Sequence, residues 1–133
     1  MDWSSAEAPS LDDVETLARA AFESLPEEFR GLAGDIRYLV QDFPDDEVVR
    51  DMELESPFDI LGLFQGPDLA SHEAAQVHAA QTMIFLYRRP ILDYWAENQE
   101  RLGDIVRHVL VHEIGHHFGL SDADMDAIEA RAD

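Results

Sequence analysis

Hydrophobic positions recur at helical spacing near both ends of the chain. Ser10, a residue type that often begins helices, precedes an apolar stripe. The stripe comprises Leu11, Val14, Leu17, Ala18, Ala21, Phe22 and Leu25. A second helical pattern runs from about Tyr94 to Phe118, and Asp104 could equally be the residue that caps its start. Beyond it, Ser121 and Asp124 have the spacing of a capping box, so the pattern predicts a long helix followed by a short terminal one.

The middle of the chain has the shorter apolar runs that are typical of strands. One run covers Ile36 to Val40, and residues 58–73 predict a short strand or an ordered loop because glycine and proline interrupt them. The strongest strand pattern covers 82–87, and Pro90 soon after it predicts an edge strand rather than a central one. This order of elements predicts one α+β domain over residues 10–133, preceded by a flexible acidic tail at 1–9.

Composition narrows the class of protein. The chain has 133 residues, no cysteine and a formal net charge of −20. The charge disfavours nucleic acid and anionic membranes as partners and favours cationic ones. The lack of cysteine excludes disulfides and thiolate-based zinc sites. We see neither a signal-peptide pattern at the start nor an apolar run near the ~20 residues that cross a bilayer, so the sequence predicts a cytoplasmic protein.

The histidines are concentrated in one segment, which holds four of the six between positions 108 and 117. His112 and His116 are four residues apart, so a helix places both on one face, where they can bind one metal ion. Glu113 projects about 100° away and can reach a water on that ion. This H-E-x-x-H pattern is typical of sites in which zinc activates a water and the glutamate takes its proton. The sequence therefore predicts one Zn²⁺ per chain, with Glu113 as the catalytic base.

A catalytic zinc site needs a third ligand from the protein. His108 lies on the same stripe, but ligands at i, i+4 and i+8 span about 12 Å along a straight helix and cannot converge on one ion. Gly119 can end the helix in a left-handed conformation, after which Asp122 can return beneath the two histidines. Asp122 is therefore the predicted third metal ligand, beside His112 and His116.

The whole segment, "HEIGHHFGLSD", reads H-E-x-x-H-x-x-G-x-x-D. It is similar to the extended metzincin pattern, with aspartate in the last ligand position. Together with "ILGLFQG" and "LYRRPIL", it resembles the small bacterial zincin-like metallopeptidase family over about residues 10–130. The resemblance implies a minimal zincin-like fold, in which a small mixed sheet places an edge strand over the active-site helix.

These observations predict a zinc-dependent peptidase that hydrolyses peptide bonds. Its partner would be a peptide or protein substrate, extended along the predicted edge strand 82–87. The alternative is a metal-binding regulatory or protein-interaction module that keeps the zincin fold with little or no turnover. His117 should face away from the ligand pair, and His72 and His78 should be solvated. Tyr87 and the arginines are candidates for stabilising an oxyanion.

Overall fold

The computed structural model describes residues 2–66 and 82–132. The predicted positions of His72 and His78, and the end of the apolar segment 58–73, lie outside these residues. The helices are α1 (Leu11–Glu23), α2 (Glu27–Ala33), α3 (Asp46–Asp51), α4 (Arg88–Glu97), α5 (Leu102–His117) and α6 (Asp122–Ala130), with a 3₁₀ turn at Pro57–Asp59. The strands are β1 (Ile36–Gln41), β2 (Gly62–Gln65) and β3 (Thr82–Tyr87). This composition confirms the predicted α+β class.

The three strands form a small mixed sheet in the order β1-β3-β2. β1 runs parallel to β3, with Ile36 opposite Thr82, and β2 runs antiparallel to β3, with Gly62 opposite Leu86. The parallel pair needs a crossover between its strands, whereas β2 reverses direction against the same neighbour. The sheet is therefore mixed, as expected of a minimal zincin-like fold.

The prediction that 82–87 forms an edge strand is wrong. β3 is the central strand, hydrogen-bonded on both sides, so a substrate cannot add to it. The prediction depended on Pro90, which lies beyond the strand in the first turn of α4. Proline is tolerated there because the first turn of a helix has no partner for its N–H groups. Pro90 therefore ends the strand without affecting its place in the sheet.

The core lies between one face of the sheet and the helices α1 and α5. α1 packs against both α5 and β1. Ile84 and Leu86 of β3 are fully buried on this face, where α5 contributes Val106 and Leu110. Each fully buried side chain of this kind stabilises the fold by about 1.5–3 kcal/mol. This core fixes α5 against the sheet and leaves His108, His112 and His116 outside it.

The sequence predicted those helix starts that depend on hydrogen bonds between residues close together in the chain. Ser10 begins α1, as predicted, and forms a capping box that was not predicted from the sequence; the capping box predicted at Ser121 begins α6. The predicted helix from Tyr94 to Phe118 is instead two helices, because α4 ends at Glu97 and Gln99 adopts a left-handed φ of 26°. The cap of α5 is Arg101, so the alternative start at Asp104 is also wrong. None of the described helices combines the length and apolar character needed to cross a membrane.

Candidate metal centre

Helix α5 has a buried face and a histidine face. The buried face comprises Ile105, Val106, Val109, Leu110, Val111, Ile114 and Gly115. His108, His112 and His116 follow one another at four-residue spacing on the other side, where the rings lie side by side. Helical periodicity together with burial thus directs all three imidazoles away from the core and toward the same stripe.

The chain leaves α5 through a tight, hydrogen-bonded turn at Gly119. The Gly119 N–H donates to the His116 carbonyl at 3.1 Å, and the Leu120 N–H donates to the Gly115 carbonyl at 2.9 Å. This pair of bonds is a Schellman motif, which requires a left-handed residue just past the helix. Gly119 has a φ of 76°, as the sequence predicts. The turn reverses the chain so that α6 returns along α5.

Asp122 is the first residue of α6, directly after its cap. The Ser121 side chain accepts a hydrogen bond from the Asp124 N–H, and the Asp124 carboxylate accepts one from the Ser121 N–H, both at 3.1 Å. Because the Asp124 carboxylate accepts the hydrogen bond from the Ser121 N–H, the Asp122 carboxylate is not needed for capping the helix. The start of α6 is thereby fixed with Asp122 facing α5.

The packing of α6 on α5 depends on Gly115, within the histidine segment. A side-chain carbon at this position would lie 2.5 Å from Met125 Sδ and 2.9 Å from Met125 Cγ. Met125 is fully buried. Glycine therefore allows α6 to approach the helix that carries the histidines. Without that approach, Asp122 could not lie beside them.

The structure brings His112, His116 and Asp122 together. One ligand atom from each lies within 4.8 Å of the others. His112 Nε2 is buried and, among the described residues, has no hydrogen-bond partner. A buried polar atom without a partner is costly, so a metal ion that binds this nitrogen would remove an unfavourable feature. Two imidazoles and a carboxylate are ordinary zinc ligands, so this set fits zinc.

The surroundings of His112 favour the form of imidazole that binds metals. Burial, and secondly the neighbouring His108, lower the pKa of His112 below its usual value, although Glu129 opposes this shift. The ring is therefore neutral at neutral pH, with a lone pair on one nitrogen. A metal ion need not displace a proton from it.

Glu113 is not a member of this ligand group and is partly buried. Burial raises the pKa of its carboxyl above the usual value, and the charge of His116 opposes that rise. On the helix, Glu113 shares a stripe with Val109 and His117, four residues to either side. Both of those residues contact β2, so Glu113 faces the space between α5 and this strand.

Among the strands of residues 2–66 and 82–132, β2 is the edge strand that lies along α5. A side-chain carbon at Gly62 would lie 2.7 Å from Val109 Cγ1 and 2.9 Å from the Phe85 carbonyl oxygen. Further along the strand, the Phe64 ring lies edge-on to the His117 ring, with 4.8 Å between centroids. The feature that the resemblance implies, an edge strand over the active-site helix, is thus formed by β2 rather than by 82–87.

The other predicted residues take structural positions around this site. His117 packs against Phe64 and lies outside the ligand group. His108 Nδ1 lies 2.9 Å from Glu129 Oε1. Arg88 forms an ion pair with Asp42 at 3.0 Å. Tyr87 is buried at the end of β3, and burial followed by the charges of Asp45 and Glu113 raises its pKa to about 12.

A helix bearing paired histidines beside a small mixed sheet is the arrangement that the resemblance to zincin-like proteins implies. The chain belongs to the zincin-like metallopeptidase family, whose model matches residues 33–132. No curated protein matches it. At the level of the family, the chain is thus a zinc-dependent metallopeptidase. The match includes every residue of the candidate metal centre and leaves out α1.

Four residues near the site were missed by sequence reasoning: Gly62, Gly115, Met125 and Glu129. The two glycines are needed for close contacts between elements, and their partners could not be identified before the packing was known. Glu129 lies twenty-one positions from His108, and only the return of α6 brings them together. An available signal was the i, i+3 repetition of apolar residues at Met125 and Ile128, which places Glu129 beside the packed face.

Proposed function

We propose that this protein is a zinc-dependent peptidase in which His112, His116 and Asp122 hold one Zn²⁺. The observation that supports this most is the convergence of their three ligand atoms, all within 4.8 Å of one another. Catalytic zinc sites use three protein ligands and keep one position open. When bound, the ion would polarise the scissile carbonyl and make an attacking water more acidic.

Glu113 acts as the general base in this proposal. It follows His112 directly in sequence, and the charge of His116 acts on its carboxyl, which supports a place near the metal centre. The three ligands are complete without it. It would accept a proton from the attacking water and pass it to the leaving amine. Its partial burial keeps the carboxyl away from bulk water, which helps it retain that proton for the second transfer.

The substrate would lie as an extended chain near β2. Within residues 2–66 and 82–132, β2 has one hydrogen-bonded neighbour, β3, so its other edge is the place where a peptide could add by main-chain hydrogen bonds. The contacts of Gly62 with Val109 and of Phe64 with His117 support this placement, because they hold the strand along the catalytic helix.

A cavity of about 350 Å³ beside His108, whose ring contacts that of His112, could receive one substrate side chain. Its walls are mostly apolar, and His108 and Glu100 add polar groups. The lining residues are Leu61, Tyr94, Glu100, Ile105, His108 and Val109. With a net charge of −20 on the chain, we expect cationic peptides to be preferred over acidic ones.

The test is digestion of a reduced, unfolded, lysine-rich protein by the zinc-loaded enzyme and by Glu113→Gln. We expect cleavage by the native protein, its loss on chelation and recovery with zinc. Glu113→Gln should bind zinc normally and lose at least about 100-fold in rate, because a base is removed and no ligand is changed. Glu7→Gln is the matched control, an equally small change at an exposed position outside the family match.

Zinc binding without cleavage in any of these proteins would contradict the peptidase proposal. It would favour the alternative, a metal-binding regulatory or interaction module. Equal rates for native protein and Glu113→Gln would contradict the assigned base while leaving the peptidase class intact.

A further inference from the structure

Helices α5 and α6 bring a second group of ligand-type side chains together, one turn from the first. Where α6 begins, Asp122 joins His112 and His116. Toward the end of α6, Glu129 lies beside His108 and His112, and one ligand atom from each of these three residues lies within 4.8 Å of the others. His112 belongs to both groups.

We propose that His108, His112 and Glu129 form a second zinc position that competes with the first for His112. His108 Nδ1 and Glu129 Oε1 are already 2.9 Å apart. Two ligand atoms on one zinc ion, at bond lengths of about 2.0–2.2 Å, are separated by roughly 3–3.5 Å. The pair is therefore nearly at the separation that a shared ion requires.

The ring of His112 lies between its two neighbours. Its centroid is 3.9 Å from that of His108 and 5.6 Å from that of His116. A neutral imidazole has a lone pair on one nitrogen only, so His112 can bind one ion at a time. The two positions are consequently alternatives, and a chain binds one zinc ion in either of them.

The second position can be reached from solution through His108, as the first can through His116 and Asp122, which are also exposed. The side chain of His108 is 57% exposed and that of Glu129 is 20% exposed. Around the helix, His108 projects about 140° from Glu113, whereas His116 projects about 60° from it. An ion in the second position would therefore lie farther around the helix from Glu113 than one in the first, and we expect the enzyme that holds it there to be inactive. This consequence, unlike the binding itself, rests on the proposed function.

The experiment is a zinc competition titration against a chelating indicator, with four proteins: native, Asp122→Ala, His108→Ala and the double variant Asp122→Ala/His108→Ala. We expect Asp122→Ala to bind zinc more weakly than native protein but still at one per chain. Adding His108→Ala should weaken this remaining affinity by at least about tenfold. His108→Ala alone should stay within about threefold of native, because the first position is intact.

Glu129→Gln in the Asp122→Ala background is the second variant, and it should weaken zinc as His108→Ala does. His108, Asp122 and Glu129 are not core residues, so these proteins should fold, as helical circular dichroism would verify. The same loss from His108→Ala in both backgrounds would overturn the proposal, since His108 would then only position His112. If His108→Ala lowers zinc affinity in neither background, the proposal is also overturned, since His108 and Glu129 would then form only a hydrogen-bonded pair.

Stoichiometry provides a further check, since two zinc ions on one native chain would overturn the sharing of His112. The experiment also separates this proposal from the proposed function. If Asp122→Ala binds zinc as tightly as native protein and the double variant loses it, the second position stands and the proposed catalytic position fails. If Asp122→Ala loses zinc completely while native protein binds it, the proposed catalytic position stands and the second position fails.

Discussion

Gly115 and Met125 are in direct contact, and no larger residue than glycine fits at position 115 without movement of the buried Met125 side chain or of α6. Gly115 stands between Glu113 and His116 in sequence, yet its function is to bring α6 and Asp122 against the histidine helix. The contact connects the packing of the C-terminal helix to the geometry of the candidate metal centre.

Gly115→Ala should therefore weaken zinc binding and lower stability together. The added carbon would lie 2.5 Å from Met125 Sδ, and overpacking of this kind costs about 1–3 kcal/mol. The gain in helix propensity, up to about 1 kcal/mol, only partly offsets this cost. Gly103→Ala is the control, because that glycine is also in α5 and nothing lies within 4 Å of its added carbon. Denaturant unfolding and zinc titration of both variants would check the prediction, and equal effects would contradict it.

His112→Ala should have the largest effect on zinc among the histidine variants. This residue belongs to both ligand groups, so its removal leaves no complete set of three. We expect a loss of more than about 100-fold in affinity, since even residues that only support ligands are worth 10–100-fold. His117→Ala should keep native stoichiometry because His117 packs against Phe64 and lies in neither group. Zinc lost from His117→Ala and kept by His112→Ala would contradict the helical register of the site.

Gly119→Ala should disturb the connection between the two ligand-bearing helices. Gly119 has a φ of 76°, where a residue with a side chain is disfavoured by about 1–2 kcal/mol. Nothing lies within 4 Å of an added carbon, so the cost is one of backbone conformation and not of crowding. Gly119→Asn is the matched control, because asparagine tolerates the left-handed region better than alanine. We expect thermal unfolding temperatures in the order native, Gly119→Asn, Gly119→Ala.

The contrast between local and distant contacts explains how much the sequence could predict. The features predicted correctly depend on contacts within five positions of the chain. They are the helix starts at Ser10 and Ser121 and the left-handed conformation of Gly119. The zinc-binding set could be proposed for the same reason, since Asp122 follows His116 after one turn of chain. The central position of β3 could not be predicted, because it depends on two partners far away in sequence. Residues 82–87 were wrongly predicted as an edge strand because Pro90 was taken to exclude a central strand. Pro90 lies in α4, beyond the strand, so it does not restrict the strand's place in the sheet.

Tyr87 predicts how stability changes at alkaline pH. Its pKa is raised to about 12, chiefly by burial, so folding favours the protonated phenol. Its contribution to stability is complete below pH 10, the unfolded value, and is lost as the pH rises toward 12. The denaturant concentration at the unfolding midpoint should therefore fall between pH 10 and 12. The midpoint of Tyr87→Phe should fall less steeply over the same range. Identical slopes for the two proteins between pH 10 and 12 would contradict the assignment.

Asp122→His tests whether position 122 supplies a metal ligand or only a negative charge. Imidazole binds zinc at about 2.0–2.1 Å, close to the distance for a carboxylate, and the extended metzincin pattern has histidine at this point. If Asp122 is a ligand, Asp122→His should recover much of the zinc affinity that Asp122→Ala loses. Asp122→Asn is the matched control, since it keeps the size of the side chain and removes the charge. If charge alone matters, histidine and asparagine should bind zinc equally poorly. Zinc titration of the three variants beside the native protein distinguishes these outcomes, because only a ligand role ranks histidine above asparagine.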